Sequence, residues 1–209
     1  MIQNIIGRKV GMTQIFSEKG MLIPVTVIEA GPCQVIQRKG IDTDGYTSVQ
    51  LGYGRKKKNK VNKPLAGHFK KHGSEPSKVI REVRTDGGED EVKEITVDIF
   101  KDGDFVDVSG IVKGRGFSGV FRRYNMAGAP ASRGSHEKFR HAGSSAGGSS
   151  NITRIWPGKR LPGRMGGNKK TVLNLKVIRV DKETNSLFVK GPVPGCPSGM
   201  LMIRKTNRG

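Results

Sequence analysis

Between Ile111 and Lys170 the chain carries thirteen Lys and Arg, twelve Gly and a single acid, Glu137. Apolar residues are scattered through this stretch, too few to bury the surface that an independent fold requires. It is not a monotonous tail, because Phe117, Phe121, Tyr124, Phe139 and Trp156 punctuate it with rings able to stack on bases. The composition describes an extended arm whose conformation is fixed by a partner. Whatever core the chain builds must come from the residues on either side.

Those flanks have a different character. "MLIPVTVIEAGP", "CQVIQRKG", "YTSVQLGYG", "KVIREVR", "EITVDIF" and "DFVDVSG" precede the arm, and "TVLNLKVIRVD", "SLFVKGPVPG" and "MLMIRK" follow it. These are short runs rich in β-branched residues, separated by Gly, Asp and Pro. The spacing predicts a mainly β chain, with the strands in a barrel or a packed antiparallel sheet. "DTDGY", "FKDGDF" and "DKETNS" supply the Asp, Gly and Asn that hairpins need. Alternation along 171–181 assigns Val177, Arg179 and Asp181 to water, with Ile178 and Val180 inward. The strands after the arm must complete the sheet begun before it, so the arm is an insertion in one β domain.

Thirty-eight Lys and Arg stand against eighteen Asp and Glu in 209 residues, a formal charge of +20. A charge of that size repels itself and implies a polyanionic partner. Nucleic acid fits best, since counterion release makes dense Lys and Arg useful against phosphates. An anionic membrane is the rival, but no apolar run is long enough to span a bilayer. "MIQNIIGRKVGMTQIF" lacks the pattern of a signal peptide. Cys33 and Cys196, far apart in sequence, read as reduced thiols of a cytoplasmic protein. His68, His72, His136 and His141 form no ligand set with acids or cysteines, so no metal is expected. A second basic run, "GRKKKNKVNKPLAGHFKKHG" from Gly54 to Gly73, reads as a solvated loop alone and as a second RNA contact beside the arm. The carboxylates gather at 82–107, among them Asp86, Glu89, Asp90 and Glu91, as a solvated acidic surface or a contact for a basic neighbour.

Gly114, Gly116 and Gly119 spell GxGxxG, the spacing that cradles a dinucleotide pyrophosphate. "FVDVSGIV" could supply the preceding strand, and Glu137 lies at a distance suited to the ribose. Glu137 sits in "GSHEKFR", however, with no apolar strand to carry it, and strands do not alternate with amphipathic helices elsewhere. The glycines fit a backbone that approaches phosphates or turns tightly. No GxxxxGK[ST], HExxH or GxSxG motif is present, and "GSSAGGSSN" (Gly143 to Asn151) has serines without a base. No enzyme, cofactor or small-molecule substrate is expected.

"IIGRKVGMTQIFSEKGMLIPVTVIEAGPCQVIQRK" resembles the opening of the bacterial large-subunit ribosomal protein L3 family, whose signature includes G-x-K-x-G-M-T. "DGYTSVQLGYG", "VNKPLAGHFKKHG", "DVSGIVKGRGFSGVFRRYNMAGAPASRGS", "GKRLPGRMG", "TVLNLKVIRVD" and "LFVKGPVPG" resemble its later blocks in order, across essentially the whole chain. The resemblance implies a β-barrel body of the translation-protein type over 1–117 and 169–209, with a long basic extension over 118–168. It implies a cytoplasmic protein of the ribosome that binds 23S rRNA, nucleates assembly and sends its extension toward the peptidyl transferase centre. The expected neighbours are large-subunit proteins fourteen and nineteen. A free-standing RNA chaperone or regulator is the alternative.

The residues assigned to RNA are Lys9, Lys56, Lys57, Lys58, Lys60, Lys63, Lys113, Arg115, Arg122, Arg123, Arg133, Lys138, Arg140, Arg154, Trp156, Lys159, Arg160, Arg164, Lys169 and Lys170. Phe117, Tyr124 and Trp156 either stack on bases or pack against the body. Two departures from the family pattern stand out. "SRGS" places Arg133 where the family has histidine, which keeps a cation and adds bidentate reach. The extension tip, Gly147, Gly148, Ser149, Ser150, Asn151, Ile152 and Thr153, lacks the family's T-P-G and carries one extra residue. The family glutamine that is methylated in some bacteria falls near Gly147 or Gly148, so that modification has no acceptor here.

Overall fold

The computed structural model describes residues 2–85, 92–130, 132–137, 139–144 and 155–206. The chain divides into two units, Met1–Val112 with Lys169–Gly209, and Lys113–Asn168. It is mainly β.

The first unit, the body, contains β1 (Asn4–Phe16), β2 (Leu22–Ala30), β3 (Cys33–Lys39), a single helical turn α1 (Ile41–Asp44), β4 (Ser48–Arg55), α2 (Lys63–Lys71), β5 (Ser77–Arg84), β6 (Glu94–Ile95) and β7 (Phe105–Ile111). Within the second unit lie β8 (Phe117–Ser118), α3 (Val120–Tyr124) and β9 (Gly163–Arg164). The chain then returns to the body for β10 (Lys169–Asp181), β11 (Ser186–Lys190) and β12 (Met200–Lys205).

Six body strands pair into a closed ring in the order β1-β12-β7-β10-β11-β2, and β5-β4-β3-β6 form a second sheet. The ring joins the two halves of the sequence: Ile5 pairs with Ile203, Val108 with the same Ile203, and Leu187 with Ile28. Side chains alternate in and out of a pleated strand, so Leu201 and Ile203 of β12 and Leu187 and Val189 of β11 enter one core. They meet Ile5, Ile6, Ile28, Val106 and Val108 there, and Cys33, Val49, Leu51 and Ile95 of the second sheet complete the same cluster.

Two sequence expectations are corrected. Val177 is fully buried rather than solvent-facing. A bulge lies between Val177 and Arg179, so Val177 pairs with buried Val189, Val180 pairs with buried Leu187, and Ile178 is the extra residue. The bulge resets the alternation, and both valines turn inward while Arg179 stays out. The run "EITVDIF" is a strand only at Glu94–Ile95, because Val97–Ile99 wind into a 3₁₀ turn. The basic run contains α2, with a Pro in its first turn and Phe69 as its one buried residue.

Several acids of the body are tied to its own cations. Glu82 meets Lys39 at 2.7 Å, Asp98 meets Lys182 at 2.9 Å, Asp104 meets Lys205 at 2.7 Å and Asp107 meets Arg204 at 3.0 Å. Asp107 also accepts the backbone N–H of Asn174 at 3.0 Å. Asp86, Glu89, Asp90 and Glu91 lie outside the described residues.

Candidate nucleic-acid interface

The second unit begins with a narrow antiparallel ladder. Phe117 pairs with Arg164 and Ser118 with Gly163. The ladder is extended by Arg115 N–H to the Met165 carbonyl at 2.8 Å and Met165 N–H to the Gly116 carbonyl at 2.9 Å. Gly116 has φ +68, a left-handed conformation that a side chain disfavours. The GxGxxG stretch thus runs through a hairpin root into the five-residue α3, capped by Asn125 with φ 54. Every strand pairing among the described residues is antiparallel, so the parallel strand–loop–helix unit of a dinucleotide site is not formed there.

Cations and rings interlock beyond the root. Arg123 Nη1 donates to the Leu161 carbonyl at 2.9 Å, and its guanidinium lies 5.0 Å from the Tyr124 ring centre. Arg160 approaches the same ring at 5.6 Å. Phe121 and Phe139 sit 6.4 Å apart, with Arg140 5.2 Å from the Phe121 ring. Gly128, at φ +72, fits against this pair: a Cβ there would clash with the Phe121 ring. Such cation–π contacts hold flexible arginines in place at modest energy.

The remaining groups face outward. Lys113, Arg115, Arg122, Arg133, Arg140, Arg160 and Arg164 are exposed, and half-buried Lys159 donates to the Ser144 carbonyl at 2.5 Å. Phe117 is 81% exposed and Trp156 59% exposed, whereas Tyr124 is half-buried under its two arginines. Among the described residues of this unit no cation takes part in an ion pair. Lys138, Arg154 and the tip from Gly147 to Thr153 lie outside the described residues.

In the body, Lys57, Lys58, Lys60 and Lys63 are exposed around a 3₁₀ turn and the start of α2, and Lys56 is half-buried. Lys169 and Lys170 are exposed at the start of β10, opposite Ile111 and Gly110. Lys9 differs from these. It is 8% exposed, and its ammonium donates to the Val193 and Gly195 carbonyls at 3.1 and 3.4 Å. The structure also draws in residues that composition does not mark, namely Gly128 and Leu161. A glycine or carbonyl carries no charge signal, and only the chain's return past α3 brings them into use.

This arrangement defines a class: a β protein with a cationic, ring-bearing appendage. Comparison with known proteins makes it specific. A family profile described as ribosomal protein L3 matches residues 82–193. The large ribosomal subunit protein uL3 of Thermotoga petrophila is 48% identical over 202 residues, covering 96% of this chain and 95% of the relative. That of Thermosipho africanus is 48% identical over 207 residues, covering 98% of each chain. For Carboxydothermus hydrogenoformans the identity is 47% over 211 aligned positions, with both chains fully covered. The chain belongs to the ribosomal protein L3 family.

Proposed function

We propose that this protein is a structural constituent of the large ribosomal subunit that binds 23S rRNA directly. The body, a barrel of the translation-protein type, seats on the rRNA, and the extension threads between RNA helices toward the peptidyl transferase centre. Binding by both nucleates subunit assembly in the cytoplasm, beside large-subunit proteins fourteen and nineteen. The chain contributes no catalytic group.

One observation carries this reading. In the body, Glu29, Glu75, Glu82, Asp98, Asp104 and Asp107 each meet a cation of the body, while among the described residues the cations of 113–168 have no carboxylate against them. Phosphates supply that missing charge, and the displaced counterions supply the free energy. Arg122, Arg133, Arg140 and Arg164 neutralise backbone, and Phe117 and Trp156 offer faces to bases at roughly 1–3 kcal/mol each.

The root ladder makes a clean test possible. Because Ser118 pairs with Gly163, residues 119–162 can be replaced by Asn-Gly, which closes a two-residue hairpin. The shortened protein should melt as the full chain does, yet bind 23S rRNA more weakly and with a shallower dependence on salt. Equal affinity and equal slope would remove the extension from the interface.

A further inference from the structure

β1 and β2 continue past the ring as a two-stranded ribbon. On β1 the pairing with β12 spans Asn4 to Arg8, and on β2 the pairing with β11 starts at Val25, so no third described strand flanks 11–16 or 22–24. The ribbon is nonetheless well formed. Phe16 pairs with Leu22 and Gln14 with Pro24, and the turn is closed by Ser17 N–H to the Met21 carbonyl and Gly20 N–H to the Ser17 carbonyl, both 2.9 Å. Its register sorts the two faces. Thr13, Ile15, Ile23 and Val25 share one face, whereas Met12, Phe16, Leu22 and Pro24 share the other with Gln14 and, at the end nearest the ring, buried Thr26. Phe16 is 65% exposed, Met12 54% and Leu22 53%, and Met21 at the turn is 61% exposed. A two-stranded ribbon is marginal alone, and a contiguous apolar face of this kind marks an interaction surface.

Charge identifies the partner. From Val10 to Ile28 the only charged residues are Glu18 and Lys19, which cancel, in a chain of net charge +20. RNA contact requires cations for the phosphates, and this face has none beyond Lys19. A second copy of the chain would bring two strongly cationic bodies together. Depletion of charge with Phe and Met present is instead the composition of a protein–protein interface core. We infer that the outer face of the β1–β2 ribbon, centred on Met12, Phe16 and Leu22, docks an uncharged apolar face of a different protein within the large subunit. The inference rests on the ribosomal assignment above and adds a surface that the RNA-binding groups do not use.

The experiment places a photo-crosslinking amino acid at position 16, and separately at 22, in the full chain expressed in cells, and isolates large subunits by sedimentation. Irradiation should join each probe to one and the same large-subunit protein, identified by mass spectrometry. Crosslinking chiefly to rRNA, to a second copy of this chain, or to nothing in particles that contain the chain would overturn the inference. A chain that fails to sediment with large subunits would overturn the ribosomal assignment itself, and the inference with it. As a second arm, Phe16→Glu combined with Leu22→Glu should lower particle content of that neighbour about tenfold, as loss of an interface centre does. Its binding to isolated 23S rRNA should be unchanged. Unaltered neighbour content would count against the docking role.

Discussion

The guanidinium of Arg123 donates to the carbonyl of Leu161 at 2.9 Å, tying the outgoing and returning segments of the second unit together. Gly163 lies so close that a Cβ there would clash with the Arg123 guanidinium. Its neighbour Arg122 is exposed and makes no comparable contact among the described residues. The two arginines should therefore fail differently. Arg122→Ala should lower the salt slope of rRNA binding by about 1, as loss of one phosphate contact does. Arg123→Ala removes a charge-assisted hydrogen bond, so affinity should fall on the order of tenfold with a smaller change in slope. Filter binding across a salt series distinguishes them, and identical behaviour would mean that both act only as charges.

The glycines of the GxGxxG stretch are not equivalent either. A Cβ at Gly114 or Gly119 meets nothing within 4 Å, while Gly116 holds φ +68. Gly114→Ala and Gly119→Ala should leave the melting temperature unchanged, so any loss of rRNA affinity reports a backbone that RNA approaches closely. Gly128→Ala should instead displace the Phe121–Phe139 pair, read as faster proteolysis within 113–168.

Glu82 holds a small network, accepting from Lys39 at 2.7 Å and from the Tyr46 hydroxyl at 2.9 Å. Hydrogen bonds from Lys39 and Tyr46 keep its carboxyl below the usual range, against a smaller opposing effect of burial. A folded pKa below the unfolded value of about 4.3 means the stabilisation is present above that value and is lost as pH falls through the folded one. Thermal melts from neutral pH down to about 3 should show Glu82→Gln melting below the wild type near neutrality, by a small margin because the pair is partly exposed, with the two curves converging as pH falls through the folded pKa.

Cys33 is buried, its thiol donating to the Ile6 carbonyl at 3.4 Å, and burial pushes its pKa up to about 11. Cys196 is exposed. A thiol reagent at neutral pH should titrate Cys196 promptly and reach Cys33 only after denaturant is added. Two fast thiols in the native protein would contradict this packing.

Much of this architecture is legible from β-branched runs and turn residues, because strands and hairpins obey local spacing rules. The segment 113–168 stands out as sharply, since its charge and glycine content are extreme. What escapes is set at a distance. Val177 faces inward because a bulge opposite Phe188 adds a residue, and no alternation rule anticipates where a partner strand admits one. The β1 strand runs unbroken through "NIIGRKVGMTQIF" because β12 and β2 flank it in turn. Lys9 looks like any other basic residue of its run until the loop at 193–195 folds its carbonyls over the ammonium. In the second unit, the Arg123–Leu161 tie depends on a residue 38 positions away, which charge does not mark.

The most direct measurement is chemical footprinting of the purified protein on 23S rRNA with excess unrelated RNA as competitor, across a salt series. Discrete protections should survive the competitor, and a subset of them should disappear when residues 119–162 are replaced by the hairpin. Protections that vanish with competitor, leaving only the steep salt dependence of phosphate neutralisation, would contradict a dedicated rRNA site.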